Sequence, residues 1–175
     1  PADIGIFDAP HRRLAQINAG EIVFLGAPID IGTTAVPGAR FGPDAIRAAS
    51  MERYRCDFDL EIGGLKGWNM PNLGGLVLTG ARLCDLGDFR HKPGMNPQDY
   101  YSGLRRIVDE IYARGAFPVV LGGDHSISYS TVHRGADVVL HLDAHSDMAR
   151  FDGKPVYRTS TGAALKKTRA ELDKA

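Results

Sequence analysis

Phe117-Pro118-Val119-Val120-Leu121-Gly122-Gly123-Asp124-His125-Ser126 is the stretch that decides the fold. An apolar run closed by two glycines predicts a buried strand over 117–121. The paired glycines let the backbone turn sharply, and Asp124 can cap a short helix predicted over about 125–132. Downstream, Val138-Val139-Leu140-His141-Leu142-Asp143 predicts the next strand and runs on into Ala144-His145-Ser146-Asp147. Upstream, Glu21-Ile22-Val23-Phe24-Leu25-Gly26 predicts another buried strand, followed by a loop over 27–41 that carries Gly32, Pro37 and Gly38. Gly42-Pro43-Asp44 then opens a helix reaching about Tyr54. Proline at the first helical position gives up no hydrogen bond, and an early aspartate suits the positive helix end.

The pattern continues between these segments. A strand is predicted over 81–87. A helix is predicted over 97–114, with Tyr101, Leu104, Val108, Ile111 and Tyr112 on one face. The glycine-rich stretch 55–80 reads as loop with one or two short strands. Residues 1–20 read as an arm or short helix, and 163–174 as a charged helix. Strands alternating with helices at this spacing predict an α/β fold built on a mainly parallel, doubly wound sheet.

Composition narrows the function. The chain has 175 residues, with 21 Lys and Arg balanced by 21 Asp and Glu. Zero net charge offers no electrostatic footprint for nucleic acid or an anionic membrane. Two cysteines, Cys56 and Cys84, with no Cys-x-x-Cys pair, exclude a disulfide scaffold and a thiolate zinc site. There is no transmembrane run and no signal-peptide core, and the cysteine usage fits a reducing compartment, so a soluble, cytoplasmic chain is expected. Gly75 and Gly80 share the Walker spacing but lack the Lys-Ser/Thr pair, and no Gly-x-Gly-x-x-Gly occurs, so neither nucleotide motif is present.

The chemistry gathers at the ends of two predicted strands. His141, Asp143 and His145 would share one face of an extended strand. Asp143 and Asp147 would lie ~13 Å apart if the chain stayed extended, so it must bend after Ala144 for both to reach one ion. His125 stands at the same sheet edge if the two strands are neighbours, and ligand sites gather at the carboxyl edge of such sheets. Imidazole and carboxylate donors without sulfur suit manganese, and also nickel, iron or zinc. Burying this much charge without an ion would be costly. His141 reads equally as a residue hydrogen-bonding beneath the site or as a satisfied core histidine. His11, His91 and His133 have no carboxylate partner at metal spacing. Arg12-Arg13 and Lys166-Lys167 read as solvated charge, and Trp68 and Phe58 as core or interface.

Gly122-Gly123-Asp124-His125-Ser126 followed by His141-Leu142-Asp143-Ala144-His145-Ser146-Asp147 resembles the two early metal motifs of the ureohydrolase family of arginases and agmatinases. Pro37-Gly38-Ala39-Arg40-Phe41-Gly42-Pro43-Asp44-Ala45-Ile46-Arg47 is similar to that family's loop-to-helix segment, most of all in its agmatinase branch. The resemblance implies a three-layer α/β/α fold, with 1–175 forming the N-terminal part of one such domain, and a homo-oligomer. It implies two Mn2+ ions bridged by hydroxide, hydrolysing a small agmatine-like guanidino compound to urea and an amine. His125 would bind one ion, Asp143 would bridge both, His145 would bind the other, and Asp147 would join His125 on the first.

The chain also departs from that pattern. The family's later Asp-x-Asp pair is not found after Asp147, where Asp152 and Asp173 stand isolated. The family's His-Gly pair is replaced by Tyr157-Arg158-Thr159-Ser160-Thr161-Gly162, so no catalytic proton carrier is assigned. An N-terminal fragment, an incomplete or chimeric chain, and a short relative that has lost catalysis are the open explanations. The last of these makes a non-catalytic binding or assembly subunit the rival function. A metal deacetylase on a related fold is a third reading, and the Gly-Gly-Asp-His-Ser segment argues against it.

Overall fold

The structure is a computed structural model that describes residues 5–33, 36–53, 58–59, 64–65, 68–70, 75–77, 79–132, 140, 142, 148–151 and 154–157. Its centre is strand β1 (Glu21–Ala27), with the helix α1 (Gly42–Arg53) following. Four short strands, β2 (Phe58–Asp59), β3 (Gly64–Leu65), β4 (Trp68–Met70) and β5 (Gly75–Val77), precede β6 (Ala81–Asp88). Helix α2 (Pro97–Ala113), strand β7 (Phe117–Gly122) and the short helix α3 (Ser128–Thr131) complete the described α/β unit. The main sheet has the order β2-β3-β6-β1-β7.

β1 pairs in parallel with β6 on one side and with β7 on the other. β3 and β2 extend the β6 edge in antiparallel fashion, and β4 and β5 form a separate antiparallel pair. The expected doubly wound sheet is therefore present with a mixed edge, and 55–80 holds four short strands rather than one or two. Strands of two or three residues carry no alternation long enough to read from sequence.

The pleat divides the core. Leu25 and Ala27 face Tyr100, Tyr101, Leu104 and Val108 of α2. Phe24 faces the opposite way and packs with Ile6, Ala9, Leu83 and Leu121. Alternate residues of a strand point to opposite faces, so burial on both sides marks β1 as a central strand. α2 is held at its start by Asn96, whose side-chain oxygen accepts the Asp99 amide at 2.8 Å, with Pro97 at the first turn.

One ion network fastens α1 to the sheet. Arg47 donates from Nε to Asp85 Oδ2 and from Nη2 to Asp85 Oδ1, both at 2.9 Å, and from Nη1 to Asp88 Oδ1 at 2.6 Å. The amides of Ile6 and Gly87 also donate to Asp85, at 3.0 and 2.8 Å. Burial alone would raise the Asp85 carboxyl. Arg47 and the two amides outweigh it and hold Asp85 below the usual carboxylate range. Arg12, expected to be solvated, instead pairs at 3.0 Å with buried Glu21.

Downstream of α3 the expectations meet the structure only in part. Of the predicted strand over 138–143, only Leu140 and Leu142 are described. Neither lies in a strand, and they are 81% and 86% exposed. The other four positions of that strand lie outside the described residues. The described residues after Val132 also hold an antiparallel hairpin of β8 (Met148–Phe151) and β9 (Lys154–Tyr157), where no further strand was expected. The predicted helix over 163–174 lies outside the described residues. No helix among the described residues is long and apolar enough to cross a membrane.

Candidate metal centre

The crossovers define where a ligand can enter. The chain leaves β1 towards α1, which packs beside the 3-10 turn Ile6–Asp8 on one face of the sheet. It leaves β7 towards α3, which packs on α2 at the other face. Adjacent parallel strands whose connections diverge in this way open a crevice at their carboxyl ends, where α/β proteins bind ligands. Here the crevice is framed by residues following Ala27 and by residues following Gly122.

Close backbone approach builds this corner. A Cβ on Gly123 would stand 2.4 Å from the Ile29 carbonyl oxygen and 2.5 Å from that of Ala27. A Cβ on Gly42 would stand 2.5 Å from the Gly122 carbonyl oxygen. Neither Gly122 nor Gly123 has a positive φ. Gly123 and Gly42 thus let three backbone segments touch, whereas a Cβ on Gly122 would meet the Ile127 side chain at 2.6 Å; the glycine pair, read from sequence as a sharp-turn device, serves close packing here.

Asp124 caps the following turn as predicted: Oδ1 accepts the Ser126 amide at 2.9 Å. His125 opens that 3-10 turn (His125–Ile127), and its side chain is exposed at the carboxyl end of β7. Tyr101 of α2 donates its hydroxyl to Ser126 Oγ at 2.6 Å, with both residues buried. The loop after β1 is ordered separately by Asp30, which accepts the Gly38 amide at 2.8 Å and pairs with Arg40 at 3.3 Å. Burial, with Tyr101, Asp88 and Asp124 nearby, pushes the Tyr100 phenol up, so it stays neutral and donates to the Phe89 carbonyl at 2.9 Å.

Of the four predicted metal ligands, His125 is placed at this corner. Asp143, His145 and Asp147, together with His141, lie outside the described residues. Among the described residues, no group of three His, Cys, Asp or Glu side chains gathers to hold an ion. The donor chemistry fits a divalent metal nonetheless: an exposed imidazole at the switch-point crevice, and carboxylates and imidazole without sulfur in the motif that follows. Sequence reasoning missed the roles of Tyr101, of Gly32, whose amide donates to Asp124 Oδ2 at 2.6 Å, and of Ile29, whose carbonyl accepts the Asp124 amide at 2.8 Å. Their partners lie far away along the chain, and only Asp124, as a cap, carried a local signal.

The arginase family model matches residues 20–168, and the chain belongs to the arginase family. It is 34% identical over 132 residues to the mitochondrial guanidino acid hydrolase of Homo sapiens, a match covering 73% of this chain and 34% of that protein. It is 33% identical over 145 residues to the mitochondrial agmatinase of Gallus gallus, covering 78% and 38%. Among solved structures, proclavaminate amidino hydrolase from Streptomyces clavuligerus superposes with a TM-score of 0.66 at 26% identity, over 99% of this chain and 52% of that one. A Trypanosoma cruzi formiminoglutamase bearing Mn2+ superposes at 0.50 with 27% identity, over 69% and 39%. The chain thus spans between a third and about half the length of these relatives.

Proposed function

We propose that this chain carries the front half of a metal-dependent hydrolase that releases urea from a small guanidino compound. The observation that carries the reading is His125, fixed by a capped turn at the switch-point crevice of an arginase-family chain. His125, Asp143, His145 and Asp147 would hold two Mn2+ ions, His125 and Asp147 on one, His145 on the other, with Asp143 shared. The manganese-bearing relative and the sulfur-free donor set support that choice of metal.

A guanidinium carbon is a poor electrophile because its charge is spread over three nitrogens. The bound ions would supply the Lewis acidity that makes water a competent nucleophile near neutral pH. The residues of this chain hold and orient: the backbone on both sides of His125 is anchored, and residues 28–33 and 36–41 after β1 would form one wall of the crevice. In the overall reaction, water adds its oxygen to the guanidino carbon, the bond to the substituted nitrogen breaks, and a proton goes to the departing amine. An agmatine-like substrate is favoured by the loop-to-helix segment 37–47, and the agmatinase relative supports it. The guanidino acid hydrolase relative makes a guanidino acid the alternative.

The test is urea release by the full-length protein supplied with Mn2+, given agmatine, 4-guanidinobutyrate and arginine in parallel. Urea from agmatine above the other two supports the reading, and urea from the acid alone corrects the substrate. No urea from any of the three, with the protein folded, would overturn hydrolysis and favour the non-catalytic subunit.

A further inference from the structure

We propose that Asp124 is a positioning residue that fixes His125 by tying its turn to the loop after β1; this rests on the reading of His125 as a metal ligand. Both oxygens of Asp124 are engaged. Oδ1 accepts the Ser126 amide at 2.9 Å and also the Ser126 hydroxyl. Oδ2 accepts the Gly32 amide at 2.6 Å, across 92 residues of sequence. The Asp124 amide itself donates to the Ile29 carbonyl at 2.8 Å. From the other side, Tyr101 donates to Ser126 Oγ at 2.6 Å.

The residues on either side of His125 are therefore each fastened to a different element. Asp124 is held by the β1 loop, and Ser126 by α2. Gly123, one step earlier, is already in backbone contact with the same loop. A ligand whose backbone is held before the ion arrives loses less freedom on binding. The β1 loop is in turn closed on itself by Asp30. One carboxylate thereby couples the wall of the crevice to a ligand within it.

Asp124→Asn separates positioning from general stability. The amide keeps one acceptor oxygen but turns an NH2 group towards donors that both carboxylate oxygens now satisfy. The full chain, freed of metal, is titrated with Mn2+ while unbound ion is counted by electron paramagnetic resonance. Amide exchange at Gly32 is followed by mass spectrometry in the metal-free protein. The expected result is a folded variant with faster exchange at Gly32 and Mn2+ affinity lowered about tenfold, the low end for residues that orient a ligand. A lower melting temperature with unchanged Mn2+ affinity would mark a purely structural role and overturn the proposal. If the variant does not fold, Tyr101→Phe removes a single hydroxyl and should weaken Mn2+ about threefold, the share of one neutral hydrogen bond; no change there overturns the proposal too. Absence of Mn2+ binding by the unaltered protein would defeat the metal reading first, and this proposal with it. Equal binding by the unaltered protein and the Asp124→Asn variant defeats only the positioning role.

Discussion

Replacing Arg47 by methionine should destabilise the fold, and with a distinctive pH dependence. Asp85 is 0% exposed, and Arg47 is its only cation among the described residues. Arg47→Met removes two charge-assisted bonds of 2.9 Å from Asp85 and one of 2.6 Å from Asp88. Asp85 retains the amides of Ile6 and Gly87, and Asp88 retains Arg90 at 2.9 Å, which softens the loss. Stranding a buried charge costs about 3–5 kcal/mol, and the two remaining amides place this case near the lower figure. At roughly 2–4 °C per kcal/mol for a chain of this size, the melting temperature should fall by about 6–12 °C at pH 7.

The sign of the pH dependence follows from the direction of the Asp85 shift. In the unaltered protein Asp85 is held below the usual carboxylate range. Its contribution is therefore complete above the unfolded value, about 3.9, and fades as pH falls further. Without Arg47 the dominant influence is burial, which raises the carboxyl, so the variant is penalised at neutral pH and relieved as Asp85 protonates. Urea unfolding followed by circular dichroism at pH 7 and pH 4 should show the gap between the two proteins narrowing on acidification. A further change, Asp85→Asn on the Arg47→Met background, should recover part of the loss at pH 7. A cost below about 1 kcal/mol, or a gap equal at both pH values, would show that Arg47 does not neutralise a buried Asp85 charge.

Three further outcomes are expected. Gly123→Ala should destabilise by about 2–3 kcal/mol, because the clash is with two backbone carbonyls that cannot rotate away; thermal melting checks it, and a neutral effect would mean the corner is loosely packed. Cys84 is fully buried, and burial with Glu21 nearby pushes its thiol up to about 11. Peptide mapping after iodoacetamide at pH 8 should find Cys84 unlabelled in the native protein and labelled once urea is added. Leu104→Ala, in the contact between α2 and β1, should cost about 2–5 kcal/mol in the same urea assay.

The parts of the fold written in local patterns were legible. β1, α1, α2 and β7 each announce themselves by an apolar run or a helical stripe with punctuation at the ends. Asp124 reads correctly as a cap because capping is settled within two residues. The hairpin of β8 and β9 has a local signal in sequence, since Asp152-Gly153 separates the paired residues Phe151 and Lys154 and Asp-Gly is a dipeptide frequent in two-residue hairpins. The antiparallel extension by β2 and β3 had no such signal, since two residues cannot show a period. The remaining features depend on pairs distant along the chain. Arg47 meets Asp85 and Asp88 across 38 and 41 residues, and Gly32 meets Asp124 across 92. Arg12 looked like surface charge because its partner, Glu21, is buried only once β1 is in place. The two motifs around His125 and Asp143 pointed to the chemistry, while the contacts that fix His125 emerged only from three-dimensional packing.

Whether His125 and Asp143 belong to one manganese centre that hydrolyses a guanidino compound is decided by measuring bound Mn2+ and urea release together, on the same samples of the full-length protein, unaltered and carrying His125→Ala or Asp143→Asn. Urea release should rise with bound manganese. Each variant should bind less manganese and lose at least about a hundredfold in rate, as expected when an ion that activates water is lost. Urea released at full rate by either variant, or by metal-free protein, would contradict such a centre.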